Sequence, residues 1–171
     1  MIFVTVGTHE QQFNRLVKCV DELKRDGEIT EDIFIQTGFS TYDPQYCEWS
    51  KLIPFQEMKK KIKEARIVIT HGGPSSFIDV LHLGKIPLVV PRRKEFEEHV
   101  NNHQVDFCNV VAKQQGNIIV VNEIEELARV ISVYEDIVEN MPTEMKSNNE
   151  KFIEEFEKIV GGLGLDSDTQ L

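Results

Sequence analysis

Short apolar runs alternate with stretches in which apolar residues return every three or four positions, the pattern of βα units feeding a parallel sheet. Six runs read as strands: Ile2 to Val6, stopped by Gly7; Ile33 to Thr37, ended at Gly38; Trp49 to Ile53, closed by Pro54; Ile67 to Thr70; Ile86 to Val90, stopped by Pro91; and Ile118 to Val121. A first helix places Phe13, Leu16, Val17, Val20 and Leu23 on one face, with Thr8 and Gln11 spaced as a capping box. A second turns Phe55, Met58, Ile62 and Ala65 inward and Lys59, Lys60, Lys61 and Lys63 mostly outward. Ser75 to Leu83 forms a short helix ended by Gly84, and another runs from about His99 to Lys113. Asn122 caps a helix striped by Ile124, Leu127, Ala128, Ile131 and Val138. Beyond Pro142 a last amphipathic helix carries Phe152, Ile153, Phe156, Ile159 and Val160, and Gly161 to Leu171 reads as a frayed tail.

The 171 residues are 40% apolar, an ordinary globular balance for one domain, and no internal repeat or linker divides them. A net charge of -10 disfavours nucleic acid as a partner, because phosphate neutralisation needs a surplus of Lys and Arg along one face. Cys19, Cys47 and Cys108 are odd in number and widely spaced, which fits neither a disulfide framework nor a zinc site and suits a reducing cytoplasm. With no basic leader and no run of about 18 apolar residues, the sequence predicts a protein neither secreted nor membrane-spanning.

In an open parallel sheet, ligands bind beyond the carboxyl ends of the strands where strand order reverses, so the loops after the first, fourth and fifth strands matter most. The fourth strand runs into Thr70-His71-Gly72-Gly73-Pro74-Ser75-Ser76. Two glycines admit a ligand close to the backbone, the following helix start offers N–H groups, and the serines add hydroxyls, a combination suited to a diphosphate and equally to a tight capped turn. The first loop, Gly7-Thr8-His9, lacks the dinucleotide fingerprint. Its Gly7 and Thr8 could meet a phosphate with His9 near the reacting centre, or the turn could simply cap a helix and expose the histidine. Asp79 is either a ribose ligand or an exposed helix residue. After the fifth strand, Arg92 or Arg93 could hold a phosphate or face a membrane surface, or lie in a solvated surface loop, while His99, Asn101, Asn102, His103 and Gln104 crowd a helix start with groups suited to sugar hydroxyls or to a surface cap.

Together, Val4-Thr5-Val6-Gly7-Thr8-His9, Ile69-Thr70-His71-Gly72-Gly73-Pro74-Ser75-Ser76, and Pro91-Arg92-Arg93 with His99 and Asn102-His103-Gln104 resemble the C-terminal domain of family 28 glycosyltransferases, over roughly residues 1–160. The likeness is strongest to the small catalytic subunits of two-component transferases, which in bacteria build capsular or exopolysaccharide repeats and in eukaryotes act on dolichol-linked oligosaccharide.

The resemblance implies an α/β fold: a Rossmann-like parallel sheet with helices on both faces, equivalent to the C-terminal half of a GT-B enzyme. Residues 1–160 would bind a UDP-sugar, with 161–171 a flexible tail. It implies a diphosphate on His71, Gly72, Gly73, Ser75 and Ser76, with Arg92 and Arg93 nearby. Asp79 would stand where relatives carry a ribose-binding Glu, and His103 and Gln104 where they carry a sugar-binding pair. One such domain consumes this chain, so a membrane-associated partner subunit would supply the acceptor half and present a lipid-linked saccharide. Transfer would be inverting, with galactose the favoured sugar and no cofactor or metal. The base would lie on the partner, with His9 the local candidate for a role near the reaction. The chain would sit in the cytoplasm at the inner face of the membrane, through that partner. Two further readings stay open: a non-catalytic enhancer of a partner transferase, and a standalone nucleotide-binding protein.

Overall fold

The computed structural model describes residues 1–142 and 149–162, with side chains of the last helix described over 151–158. Strands β1 (Ile2–Thr5), β2 (Ile33–Gln36), β3 (Glu48–Ser50), β4 (Ile67–His71), β5 (Leu88–Val90) and β6 (Ile119–Val120) form one sheet in the order β3-β2-β1-β4-β5-β6. Every pairing is parallel. Helices α1 (Asn14–Arg25), α2 (Phe55–Glu64), α3 (Pro74–His82), α4 (His103–Gln115), α5 (Leu127–Ser132), α6 (Tyr134–Glu139) and α7 (Asn149–Gly162) cover it.

Both faces are buried along the central strands, which are mostly apolar, and alternate residues enter opposite cores. Ile2, Val4, Ile67, Ile69, Leu88 and Val90 pack with Leu16, Val17 and Val20 of α1 and with Leu127 and Val130 of α5. On the other face Phe3 and Val68 meet Ile62 of α2 and Val80 of α3. Val89 there joins Phe77, Cys108 and Val111. The stripe of α7 is buried in this second face: Phe156 lies 6.4 Å from Phe77 and 5.5 Å from Phe107, ring centre to ring centre. The last helix therefore packs on its own domain. Gly161 and Gly162 of the expected tail close α7 instead, while Ile159 and Val160 of the expected stripe and positions 163–171 of the tail lie outside the described side chains and residues.

Four local expectations are corrected. The Thr8/Gln11 capping box does not form, since α1 begins at Asn14 and its first amides go elsewhere. Phe13 N–H donates to Ser40 Oγ and Asn14 N–H to Gln12 Oε1. Strand β3 ends at Ser50, because the Gly38 amide bonds Lys51 O and β2 then turns away, leaving Leu52 without a ladder. Helix α4 starts at His103 instead of His99: Asn101 and Asn102 accept the amides of His103 and Lys94, a local turn that competes with helix. Asn122 caps nothing. It bonds Asn109, and the expected single helix is a 3-10 turn at Ile124–Glu126 followed by α5 and α6.

Candidate functional site

Strand β1 connects outward to β2 on one side, and β4, its other neighbour, connects outward to β5. The loops leaving β1 and β4 therefore part at the point where ligands enter open α/β sheets. At the end of β4 the His71 ring, 8% exposed, is enclosed by backbone. A Cβ added at Gly7 or at Gly73 would fall on that ring, so both loops press against the imidazole as only glycine permits. Gly73 N–H donates to His71 Nδ1 at 3.0 Å, so Nδ1 carries no proton. Nε2 then holds it and donates to Ser76 Oγ at 2.8 Å. Burial, then the charge of Arg92, pushes the His71 pKa down to about 3, so the ring is neutral at pH 7.

The glycine amides expected to meet a diphosphate are thus turned inward. Gly73 N–H serves His71, and Gly72 N–H donates to Gln104 Oε1 at 3.1 Å. Pro74 has no N–H to offer, which leaves the Ser75 amide and the two serine hydroxyls at the positive end of α3. Because Ser76 Oγ accepts from His71, its own O–H is directed elsewhere. Asp79 stands one turn further, four residues after Ser75 and so on the same side of α3. It is half-buried; burial raises its pKa while His82 and Lys59 draw it back. Cys108, whose thiol bonds Gly72 O, has its pKa pushed up to about 12 by burial and is no nucleophile.

Both expected arginines are tied into the fold through their guanidinium groups. Arg92 is fully buried, its Nη1 donating to Gln11 O (2.9 Å), Gln12 O (3.0 Å) and Glu98 O (3.2 Å), its Nη2 to Val6 O (2.8 Å), and its guanidinium lying over Phe13. It ties the loop after β5 to the loop after β1, and its Nε–H is buried without a partner. Arg93 pairs with Glu123 at 2.7 Å and Glu95 at 3.6 Å. Sequence reasoning missed what completes this arrangement: Glu98 is fully buried, accepts both Nε and Nη2 of Arg15 at 2.9 Å, and takes the Arg93 amide. Its signal was an acid at the end of an overcharged loop; the partner lies 83 residues away.

This tying brings the His9 and His99 rings within 5.0 Å beside His71, with His9 Nε2 3.0 Å from Gln11 Oε1. Thr8 and His103 are exposed, and Gly7 N–H donates to Thr5 Oγ1. Gln104 works as a crossbar: its Oε1 accepts Gly72 N–H and Arg92 N–H, each at 3.1 Å. Among the described residues no three His, Cys, Asp or Glu side chains converge to hold a metal ion, and no helix is long and apolar enough to cross a membrane.

Comparison with known proteins gives this geometry a lineage. The glycosyltransferase family 28 C-terminal domain matches residues 1–161, and the chain belongs to that family. The human UDP-N-acetylglucosamine transferase subunit ALG13 is 32% identical over 122 residues, covering 66% of this chain and 10% of its own length. Among solved structures, Acinetobacter baumannii MurG superposes with a TM-score of 0.56 at 19% identity, over 87% of this chain and 44% of MurG. The spinosyn forosaminyltransferase SpnP gives 0.59 at 13% identity, over 94% of this chain and 43% of SpnP. These likenesses establish the Rossmann-like α/β fold of GT-B neighbours. The chain spans a tenth of the human relative and under half of each solved structure.

Proposed function

We propose that this family 28 chain is the donor-binding, catalytic subunit of a heteromeric inverting glycosyltransferase, moving a hexose from a UDP-sugar to a lipid-linked saccharide in capsular or exopolysaccharide synthesis. The observation that carries it is the mouth of α3 at the switch point: Ser75 and Ser76 hydroxyls and the Ser75 amide beside a helix N-terminus, with Asp79 one turn on. A diphosphate meets the serines and the helix end, Asp79 accepts from the ribose hydroxyls, and the Gln104 amide group and His103 face the hexose. The acceptor oxygen attacks the anomeric carbon as the bond to the β-phosphate oxygen breaks. Its proton passes to a base on the partner, His9 being the local group near the reaction. Charge gathering on the departing UDP is met by preorganised donors.

The partner is a membrane-associated subunit that holds the lipid-linked acceptor and keeps this chain at the inner face of the membrane. The human relative is by name a subunit, which supports this assignment. So do Phe39, Phe96 and Val100, exposed at 52%, 46% and 67% on loops leaving the carboxyl ends of β2 and β5 around the site. Galactose is the sugar favoured by family likeness, and N-acetylglucosamine is the sugar in the human relative's name.

The test is transfer from radiolabelled UDP-galactose, UDP-glucose, UDP-glucuronic acid and UDP-N-acetylglucosamine to membrane acceptors, with the chain alone and with its co-expressed partner. Transfer only with the partner is expected. Transfer by the chain alone overturns the half-enzyme, and full transfer by a complex carrying Ser76→Ala and Asp79→Ala makes the chain an enhancer.

A further inference from the structure

One surface has a character the donor site does not use. The chain is strongly acidic overall, yet residues 51–64 hold five lysines against two acids. Of these, Lys61 lies over the Phe34 ring, while Lys51, Lys59, Lys60 and Lys63 are exposed. Beside them Leu52 and Phe55 stand 53% and 58% exposed. Phe55, Lys59 and Lys63 follow one another at four-residue spacing and so share one side of α2, and the Lys59 ammonium sits 4.5 Å from the Phe55 ring centre. Met58 and Ile62 face the core. Lysines in the last turn suit the helix dipole, but the dipole gives no reason for uncovered Leu52 and Phe55 at the opposite end.

We infer that this face rests on an anionic lipid bilayer, with Leu52 and Phe55 entering the interfacial layer and Lys51, Lys60 and Lys63 meeting headgroup phosphates. Apolar side chains edged by lysine are the composition of an interfacial helix, and a polybasic surface attracts an anionic leaflet. Protein interfaces favour arginine and are depleted in lysine, which argues against a protein occupant. Screening confines the effect to charges within about 8 Å, so the acids elsewhere on the chain do not cancel it. The face begins on the loop leaving β3, the same edge of the sheet on which the α3 mouth opens. This goes beyond the proposed function, where the membrane is reached through the partner.

The experiment is co-sedimentation of the full chain, without nucleotide, with vesicles of phosphatidylcholine alone and with added phosphatidylglycerol. Binding to the anionic vesicles that falls with salt is expected. Each lysine contributes about fivefold, so Lys51→Ala/Lys60→Ala/Lys63→Ala weakens binding on the order of a hundredfold. Leu52→Ser/Phe55→Ser weakens it too, at unchanged circular dichroism, since both side chains are exposed. Lys18→Ala/Lys113→Ala/Lys158→Ala removes the same charge from exposed positions elsewhere and leaves binding intact. No binding by the parent chain, or equal loss in this control, overturns the inference. So does a triple variant that loses only its co-expressed protein partner, which would give the face to a protein. Calorimetry with UDP reports on the donor site separately.

Discussion

His71 Nε2 lies 2.8 Å from Ser76 Oγ across the first turn of α3, and the direction of the bond is fixed because Gly73 already donates to the other ring nitrogen. The buried ring sets which way the serine proton points. His71→Gln reproduces a donor near Nε2, whereas His71→Asn keeps only the acceptor for Gly73. The Gln variant should hold UDP within a few-fold of the parent, and the Asn variant should lose about tenfold, the worth of one hydrogen bond. Calorimetric Kd values in the reverse order would contradict the assignment.

The same ring makes stability depend on pH. Its folded pKa of about 3 lies below the roughly 6.5 of an unfolded histidine, so between these values the unfolded chain binds more protons. The contribution of the neutral ring is therefore complete above about pH 6.5 and declines as pH falls toward 3, at about 1.4 kcal/mol per unit. Urea unfolding at pH 7 and pH 5 should show a loss of about 2 kcal/mol that is absent in His71→Asn. Equal pH slopes in the two proteins would remove the effect.

Gly7→Ala and Gly73→Ala each drive a methyl group into the imidazole. Overpacking of this kind costs about 1–3 kcal/mol. Gly84 has the same positive φ as Gly7 but open space around it, so Gly84→Ala measures backbone strain alone. Thermal unfolding should rank Gly7→Ala below Gly84→Ala, and only the former should lose UDP binding.

Arg92→Met strands the carbonyls of Val6, Gln11, Gln12 and Glu98 and should cost about 3–5 kcal/mol. Arg92→Lys should rescue little, because one ammonium cannot span carbonyls on two loops. Hydrogen exchange should quicken at residues 7–12 and 93–102 before the strands open. Exchange confined to other segments would show that Arg92 does not hold these loops.

The bounds of the edge strand β3, Glu48-Trp49-Ser50, were missed because it carries no apolar run. The central strands were legible because burial on both faces imposes such runs, which local composition records directly. The glycine-serine loop was legible for the same reason: its residue types are demanded by backbone approach and by a helix start. The loop-tying role of Arg92 was not, because a guanidinium looks the same in sequence whether it meets a phosphate or four carbonyls. Its acceptors Val6, Gln11 and Gln12 lie more than 79 residues away in the chain. The Arg15 and Glu98 pair was hidden by the same separation, and the Thr8/Gln11 spacing misled because Ser40, from the loop after β2, supplies the Phe13 amide with its acceptor.

The place of β1 bears on how the molecule is made. It is the earliest of the six strands to leave the ribosome, yet Ile2 sits between Ile33 and Ile67. One edge of this apolar ribbon stays unpaired until β4 has been synthesised, an interval in which the nascent chain is open to wrong pairing and to chaperones.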